Sequence, residues 1–506
     1  MSKEEYLKTS LTAVILLLIG FNAVYSLINC WNFVTDDAFI SWRYAEHLAQ
    51  GKGLLWSFNQ PPVEGYSNFS WLLLAFLFIK LGLPLIPAMK IFATACLFLS
   101  FYFLYRCARV FSNPLYALLS VYLFSCYKGL YWWTVSGLET SLFVALALLL
   151  TYLLLTKLKK GNGVWICISL LFLSLTRFEG ILWLLFAGLY IICRRYNNPS
   201  DKPHTAFWKS VLISFVLPYL IYSLWRIAYF GQLLPNSYLC KSVGSFYPSI
   251  ASFYHFLLIH DYLAISFPFI ILGLPFLFAR YDCRNMLLWL PSLTYAVLLW
   301  DANPIIAHYN RLFLPAFALI CVLPPLGIQE FLNYFSLNNT LKMVLCFITV
   351  LLLAHFSIPG INETQTQKEL LHYQQRSDLR MRVSQMINHQ AQRNARILVS
   401  DCGIIPYFGR PDLDYIDSEC LNNRQMTQHS SLENYALTLV RHPPDWIIYS
   451  VNEWNQANDL MEILIQQQFL KKYQLIAVYP LYARKPNGQL VADFTYRIYK
   501  RLPLTA

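Results

Sequence analysis

Thr35-Asp36-Asp37-Ala38-Phe39-Ile40-Ser41-Trp42-Arg43-Tyr44 follows closely on the first long apolar run of the chain, Leu11 to Ile28. Two adjacent acids at the mouth of such a run admit two readings. In the first they are structural: Thr35 is the N-cap of a helix from Asp36 to Gln50, acids favour its positive end, and Gly51 stops it. In the second they are chemical: an acid at the membrane surface, facing a cavity that receives a lipid-linked substrate, acts as a general base toward an acceptor hydroxyl.

Working outward, the 506 residues are 57% hydrophobic, 17% aromatic and 13% charged. A soluble domain carries about 25% charged residues, so this composition belongs to an integral membrane protein. The net charge of +12 does not indicate nucleic acid, because the basic residues sit in short clusters between apolar runs rather than along one stripe. The cysteines are scattered, mostly within apolar runs, with no CxxC and no Cys/His spacing suited to zinc. Neither a disulfide framework nor a metal knuckle is expected.

Leu11 to Ile28 is long for a signal-peptide core and lacks a small-x-small cleavage site before Trp31, so it reads as a retained span. The loop from Asp36 to Ser70 is polar and rich in Gly and Pro, with one amphipathic helix. Trp71 to Ile79 is too short to cross and reads as re-entrant or interfacial. Further spans follow at Leu85–Tyr105, Leu115–Trp133, Ser141–Thr156, Val164–Thr176, Ile181–Cys193, Trp208–Phe230, Phe256–Ala279, Met286–Trp300, Leu312–Ile328 and Met343–Ile358. With about eleven transmembrane helices, every basic cluster falls on one side, as the positive-inside rule requires. Reading Val164 to Cys193 as one span would bury Arg177 and Glu179 in the membrane and invert everything downstream.

After Ile358 the composition changes. Asn362 to Arg396 reads as a linker and a polar helix; beyond it the apolar runs Arg396–Ser400, Asp445–Ser450 and Tyr473–Tyr479 alternate with helix-like stretches Leu432–Val440 and Asp459–Gln468. That alternation predicts a soluble α/β domain over 362–506, outside the cytoplasm by parity, behind a membrane domain over 1–361.

The same parity places Asp36, Asp37, Arg43, Glu139, Arg177, Glu179, Asn236, Tyr238, Lys241, His308 and Arg311 in outer loops. Each has a plain structural alternative: Glu139 caps a helix, Arg177 pairs with Glu179, His308 is an interfacial histidine, and Lys241 and Arg311 snorkel. Outer Arg and Lys run against the orientation rule, however, and an anionic phosphate at the outer leaflet is a reason to keep them there.

These residues carry a resemblance. The opening stretch, together with Gly51-Lys52-Gly53-Leu54 and Val63-Glu64-Gly65-Tyr66-Ser67-Asn68, resembles the first outer loop of the GT-C glycosyltransferases, and is similar to the mycobacterial terminal arabinofuranosyltransferases and their bacterial relatives. The similarity continues through Ser136–Thr140, Thr176–Gly180, Leu234–Tyr238 with Lys241, Arg311–Pro315, Asp401–Tyr407 and Tyr415–Asp417. It implies a polytopic α-helical fold with a C-terminal soluble α/β domain. It further implies transfer of a sugar, a pentofuranose among the candidates, from a polyprenyl-phosphate donor to a cell-envelope glycan on the outer face of a bacterial inner membrane. Asp36 and Asp37 are the implied catalytic acids. Arg177, Lys241 and Arg311 are assigned to the donor phosphate, with Arg43, Glu64, Tyr66, Glu139, Glu179, Asn236, Tyr238 and His308 as supporting residues. The acids either activate the acceptor or order a divalent metal ion; no other cofactor and no nucleic acid is expected. A lipid-linked-sugar transporter and an inactive glycan-binding adaptor are the rival classes. A transporter wants polar residues along a path through the bundle, whereas the central spans here are nearly free of charge.

Overall fold

The computed structural model describes residues 3–158, 163–197, 205–241, 262–280, 282–298, 308–358, 363–428, 432–452, 455–484 and 490–503. Among them, seven helices are long and apolar enough to cross a membrane: Glu4–Cys30, Leu85–Ala108, Thr140–Lys157, Thr205–Phe230, Tyr262–Ala279, Arg311–Asn333 and Asn339–Ser357. The chain is a polytopic α-helical membrane protein with a C-terminal sheet domain.

Four expected spans coincide with shorter elements. Val164–Thr176, Leu182–Asn197 and Met286–Leu298 contain 13, 16 and 13 residues. At about 1.5 Å per residue their described lengths fall short of a hydrocarbon core about 30 Å thick. The run Leu115–Trp133 is not one helix but two, Pro114–Ser125 and Lys128–Val135. At the break the Tyr131 hydroxyl donates to the Ser125 carbonyl at 2.7 Å, which satisfies a helix end that a buried chain could not leave bare. Phe69–Lys80, with 12 residues, is too short to cross, in keeping with the re-entrant reading.

By compactness the chain forms two units. The first comprises Met1–Phe33, Ile86–Tyr222 and Gly244–Gln367. At its centre lies Arg311–Asn333, almost wholly buried. Gly327 and Gly273 set how closely this helix meets Tyr262–Ala279, since a Cβ on Gly327 would collide with the Leu272 carbonyl and one on Gly273 with Leu323. Small residues allow such backbone approach where lipid gives no hydrophobic drive for association.

The second unit gathers Val34–Leu85, Ser223–Val243 and Lys368–Ala506. The boundary expected at 361/362 falls at residues outside the described set. The expected strands appear as β1 (Arg396–Val399), β3 (Trp446–Asn452) and β4 (Tyr473–Arg484), joined by β2 (Asp414–Asp417) and β5 (Leu490–Arg501). The sheet order is β2-β1-β3-β5-β4, with β1 parallel to both β2 and β3 and the remaining pairs antiparallel. One face buries Leu398, Ile416, Ile447, Tyr449 and Val451 against the helices Leu432–Arg441 and Asp459–Gln466. Leu379, Val383 and Ile387, spaced by four, form a buried stripe on the polar helix Glu363–Gln390.

One expectation is corrected. Cys240 and Cys420 form a disulfide across 180 residues of sequence, which no local cysteine spacing reveals. Asn236 works beside it: its backbone N–H donates to the Glu64 carbonyl at 3.0 Å and its amide to the Cys420 and Leu421 carbonyls at 2.7 and 2.9 Å. The remaining ten cysteines are free thiols. Alkylation in denaturant without reductant is therefore expected to label ten cysteines and, after reduction, all twelve. By the chain-entropy account a loop this long contributes about 4 kcal/mol or more, so Cys420→Ser is expected to lower the unfolding midpoint markedly.

Candidate active site

The helix Asp36–Ala49 begins as the sequence suggests. Thr35 is extended at its N-cap, and Gly51 closes it with φ +77°. Thr35 makes no side-chain cap bond, however, and the two acids part company. Asp36 turns to the loop that leaves the carboxyl end of β1. Its Oδ2 accepts from the Gly403 N–H at 3.1 Å and its Oδ1 from the Ile404 N–H at 2.8 Å. Gly403 is required by proximity, because any Cβ there would collide with the Asp36 carbonyl and carboxylate. Loops at the carboxyl ends of parallel strands are where open α/β sheets gather functional groups.

Arg380, from the helix Glu363–Gln390, completes this arrangement. Its Nε lies 3.4 Å from Asp36 Oδ1 and its Nη2 3.1 Å from Asp401 Oδ1, while the Tyr496 hydroxyl of β5 hydrogen-bonds to Asp401 Oδ2. Burial opposes the Arg380 charge, but Asp401, Tyr496 and Asp36 outweigh it and hold the guanidinium above its ordinary value. Burial pushes Asp36 up to about 6; Arg380 pulls the other way and Asp401 adds to the rise. Asp37, one residue on and about 100° around the helix, is exposed. The residues around Asp36 do not fit a divalent cation: a guanidinium already faces it, and among the described residues no three metal-ligating side chains converge.

The supporting residues of this unit are built into its interior. Arg43 donates from Nε to the Trp56 carbonyl at 2.7 Å and from Nη1 to the Pro406 carbonyl, with its guanidinium 5.6 and 5.4 Å from the Trp56 and Tyr415 ring centres. Burial lowers it to about 10. Glu64 pairs with Arg226 at 3.2 Å, both nearly inaccessible. Tyr66 packs edge-on to Tyr44 and Phe230. These residues shape the loop around the Asp36 helix. The side chains of Tyr238, Lys241 and His308 lie outside the described residues, although Lys241 ends the short helix Asn236–Lys241 and His308 opens a 3-10 turn through Phe313.

In the first unit Glu139 stands at the N-cap of Thr140–Lys157 without capping it. Its Oε1 instead receives Nη1 of Arg177 and, at 2.9 Å, Nη2 of Arg311, and only 2% of its side chain is exposed. Arg177 also pairs through Nε with Glu179, and Arg311 reaches Thr140 Oγ1 at 3.2 Å. The guanidinium carbons stand 5.9 Å from the Phe143 ring centre and 5.1 Å from that of Trp133. Three separated sequence motifs thus converge as one cluster that, among the described residues, holds two arginines and two glutamates. Sequence reading missed Arg380 and Tyr496 altogether. Asp401 and Gly403 were visible only as part of a motif after an apolar run.

Residues 363–499 match a family described as a domain of unknown function (DUF8728). No curated protein matches the chain. Among solved structures it is similar to ArnT from Cupriavidus metallidurans bound to undecaprenyl phosphate, at 12% identity over 96% of this chain and 98% of that one, with a TM-score of 0.57. It is also similar to the Archaeoglobus fulgidus oligosaccharyltransferase tethered to an acceptor peptide, at 11% identity over 95% and 74% of the chains, with a TM-score of 0.57. The same enzyme, AglB, in complex with an inhibitory peptide and a dolichol-phosphate gives 11% identity over 97% and 75%, with a TM-score of 0.56. The chain has the GT-C fold.

Two outcomes follow from these clusters. The Asp36 carboxyl ionises near pH 3.9 unfolded and near 6 folded, so the folded state binds more protons in between. Its contribution to stability is present below about pH 4 and lost as pH rises through about 6. Thermal melts of Asp36→Asn are expected to lack that component of the pH slope and, because an amide cannot accept from both backbone N–H groups, to start lower at acid pH. In the first unit, Glu139→Gln strips a buried carboxylate from two arginines and is expected to cost about 3 kcal/mol, read by denaturation of the solubilised protein.

Proposed function

We propose that the chain is a membrane glycosyltransferase that moves a sugar from a polyprenyl-phosphate donor to a cell-envelope glycan, with its C-terminal domain on the outer face of the bacterial inner membrane. The carrying observation is the division of labour between the paired acids. Asp36 is consumed by two backbone N–H groups and Arg380, which fixes the first helical turn and leaves Asp37 exposed on a rigid element. Asp37 is the general base. It takes the proton of the acceptor hydroxyl as that oxygen bonds to the anomeric carbon; the bond from that carbon to the phosphate oxygen breaks, and the electron pair leaves on polyprenyl phosphate. The leaving phosphate gains negative charge, and the sequence resemblance assigns Arg177, Arg311 and Lys241 to it as donors of charge-assisted hydrogen bonds. Because Arg177 and Arg311 pair with Glu139 and Glu179, their part rests on oriented guanidinium donors.

The fold shared with ArnT and with AglB supports the lipid-linked donor, as both were solved with a polyprenyl-type phosphate. The Cys240–Cys420 disulfide supports an oxidising, extracytoplasmic location for the second unit. The sugar is read as a pentofuranose from the sequence resemblance alone.

The test separates chemistry from folding. Asp37→Asn is expected to leave the melting temperature within about 1 °C of the parent, as an exposed substitution should, and to lower transfer at least about a hundredfold. Arg177→Ala and Arg311→Ala are expected to weaken polyprenyl-phosphate binding about tenfold or more each, with Lys a poor replacement. Full transfer by Asp37→Asn, assayed with extracted lipid-linked sugars, would return the acid pair to a purely structural role.

A further inference from the structure

A cavity of about 440 Å³ lies within the second unit, bounded by residues 59–63 on one side and by the sheet domain on the other. Its lining has an unusual make-up. Five carboxamides, Asn59, Gln60, Asn394, Asn423 and Gln425, border it together with Arg396 and Arg424. A carboxamide holds donor and acceptor in one plane and so meets neighbouring hydroxyls that each need both partners. Val63, Ile416 and Leu439 supply an apolar wall for the C–H face of a ring. The volume lies within the roughly 300–1,000 Å³ of small-ligand sites.

The cavity is held open by bonds that run beneath it. The Ser57 hydroxyl donates to Asp414 Oδ1 at 2.5 Å, and Gln60 Nε2 donates to the Tyr415 carbonyl at 3.0 Å, so the loop is fastened to the edge strand β2. On the opposite wall Asn423 Nδ2 donates to the Tyr435 hydroxyl at 2.5 Å. Charge adds a further constraint. Two arginines line the cavity with a single carboxylate, Asp414, which lies 3.9 Å from Arg396 Nε, while Arg424 also donates to the Phe230 and Gly231 carbonyls at 2.9 and 3.3 Å, so the lining carries one net positive charge. A polyhydroxylated ligand with one negative group matches the amides, the net positive lining and the apolar wall together.

We propose that this cavity binds an acidic glycan, a short run of sugars carrying a carboxylate or phosphate substituent. Its service as a holding site for the acceptor rests on the glycosyltransferase reading; the binding itself does not.

The experiment uses the full chain in nanodiscs and saturation-transfer NMR with three probes: trigalacturonate, its neutral methyl ester, and inorganic phosphate. Trigalacturonate is expected to bind at least about tenfold more tightly than the ester. Gln425→Trp, which fills the cavity from an exposed position, is expected to abolish binding, and the double variant Asn59→Ala/Gln425→Ala to weaken it about tenfold, both with unchanged melting temperature. Absence of trigalacturonate binding, equal binding by Gln425→Trp, or equal affinity for the ester overturns the proposal. Inorganic phosphate that competes at the same concentration as trigalacturonate reduces the cavity to an anion site and overturns it too. Binding in a chain with no transfer activity would count against the enzyme reading and leave the glycan site standing; transfer with no binding would do the reverse.

Discussion

A carboxylate taken out of water must find donors or give up its charge, and much of the second unit is arranged to meet that demand at Asp36. The donors are two backbone N–H groups at the carboxyl end of β1 and one guanidinium from the helix Glu363–Gln390. Each depends on something further. The N–H groups reach Asp36 only because residue 403 has no side chain. The guanidinium reaches it only because Asp401 and Tyr496 hold its other side. The partners thus come from a strand end, a long helix and the last strand, and none tolerates displacement without leaving a charge bare. The orientation of the adjacent Asp37 is a by-product of this constraint, since a helix whose first turn is fixed presents its next residue in one direction.

Glu139 follows the same physics in the first unit, with guanidinium groups in place of backbone donors. Two arginines from distant motifs end on one inaccessible carboxylate, each beside an aromatic ring, Phe143 or Trp133. Guanidinium suits this role because it is weakly hydrated for a cation and stacks on rings while its edge donates in plane. A lysine cannot divide its donors between a carboxylate and a ring face in that way. Among the described residues each guanidinium is matched by a carboxylate, which is how four charges remain inside a largely apolar unit.

The legibility of these features in the sequence follows from their range. Local signals served well: the helix start at Asp36, the stop at Gly51, the apolar runs that became β1, β3 and β4, and the helices at 432–441 and 459–466 were all readable from periodicity and end residues. The strand β2, Asp414–Asp417, begins and ends on aspartate and so has no apolar run to mark it. The break after Ser125 was hidden because hydropathy averages over a turn that a single tyrosine hydroxyl stabilises. The site was legible as residues and illegible as pairs. Nothing in a polar helix distinguishes Arg380 from its neighbours Arg376 and Arg382, because what selects it is a contact some 340 positions away.

The disulfide illustrates the same limit and adds an independent argument about orientation. Basic clusters between spans report how the chain was inserted, through charge alone. A disulfide reports the redox state of the compartment in which two thiols met, which has nothing to do with insertion. Cys240 and Cys420 both belong to segments that charge parity assigns to the outer side, while the ten free cysteines include seven that are buried. Had the parity been inverted by one miscounted span, the bonded pair would face a reducing cytosol that keeps thiols apart. The Asp36 helix belongs to the same compact unit as the bonded cysteines.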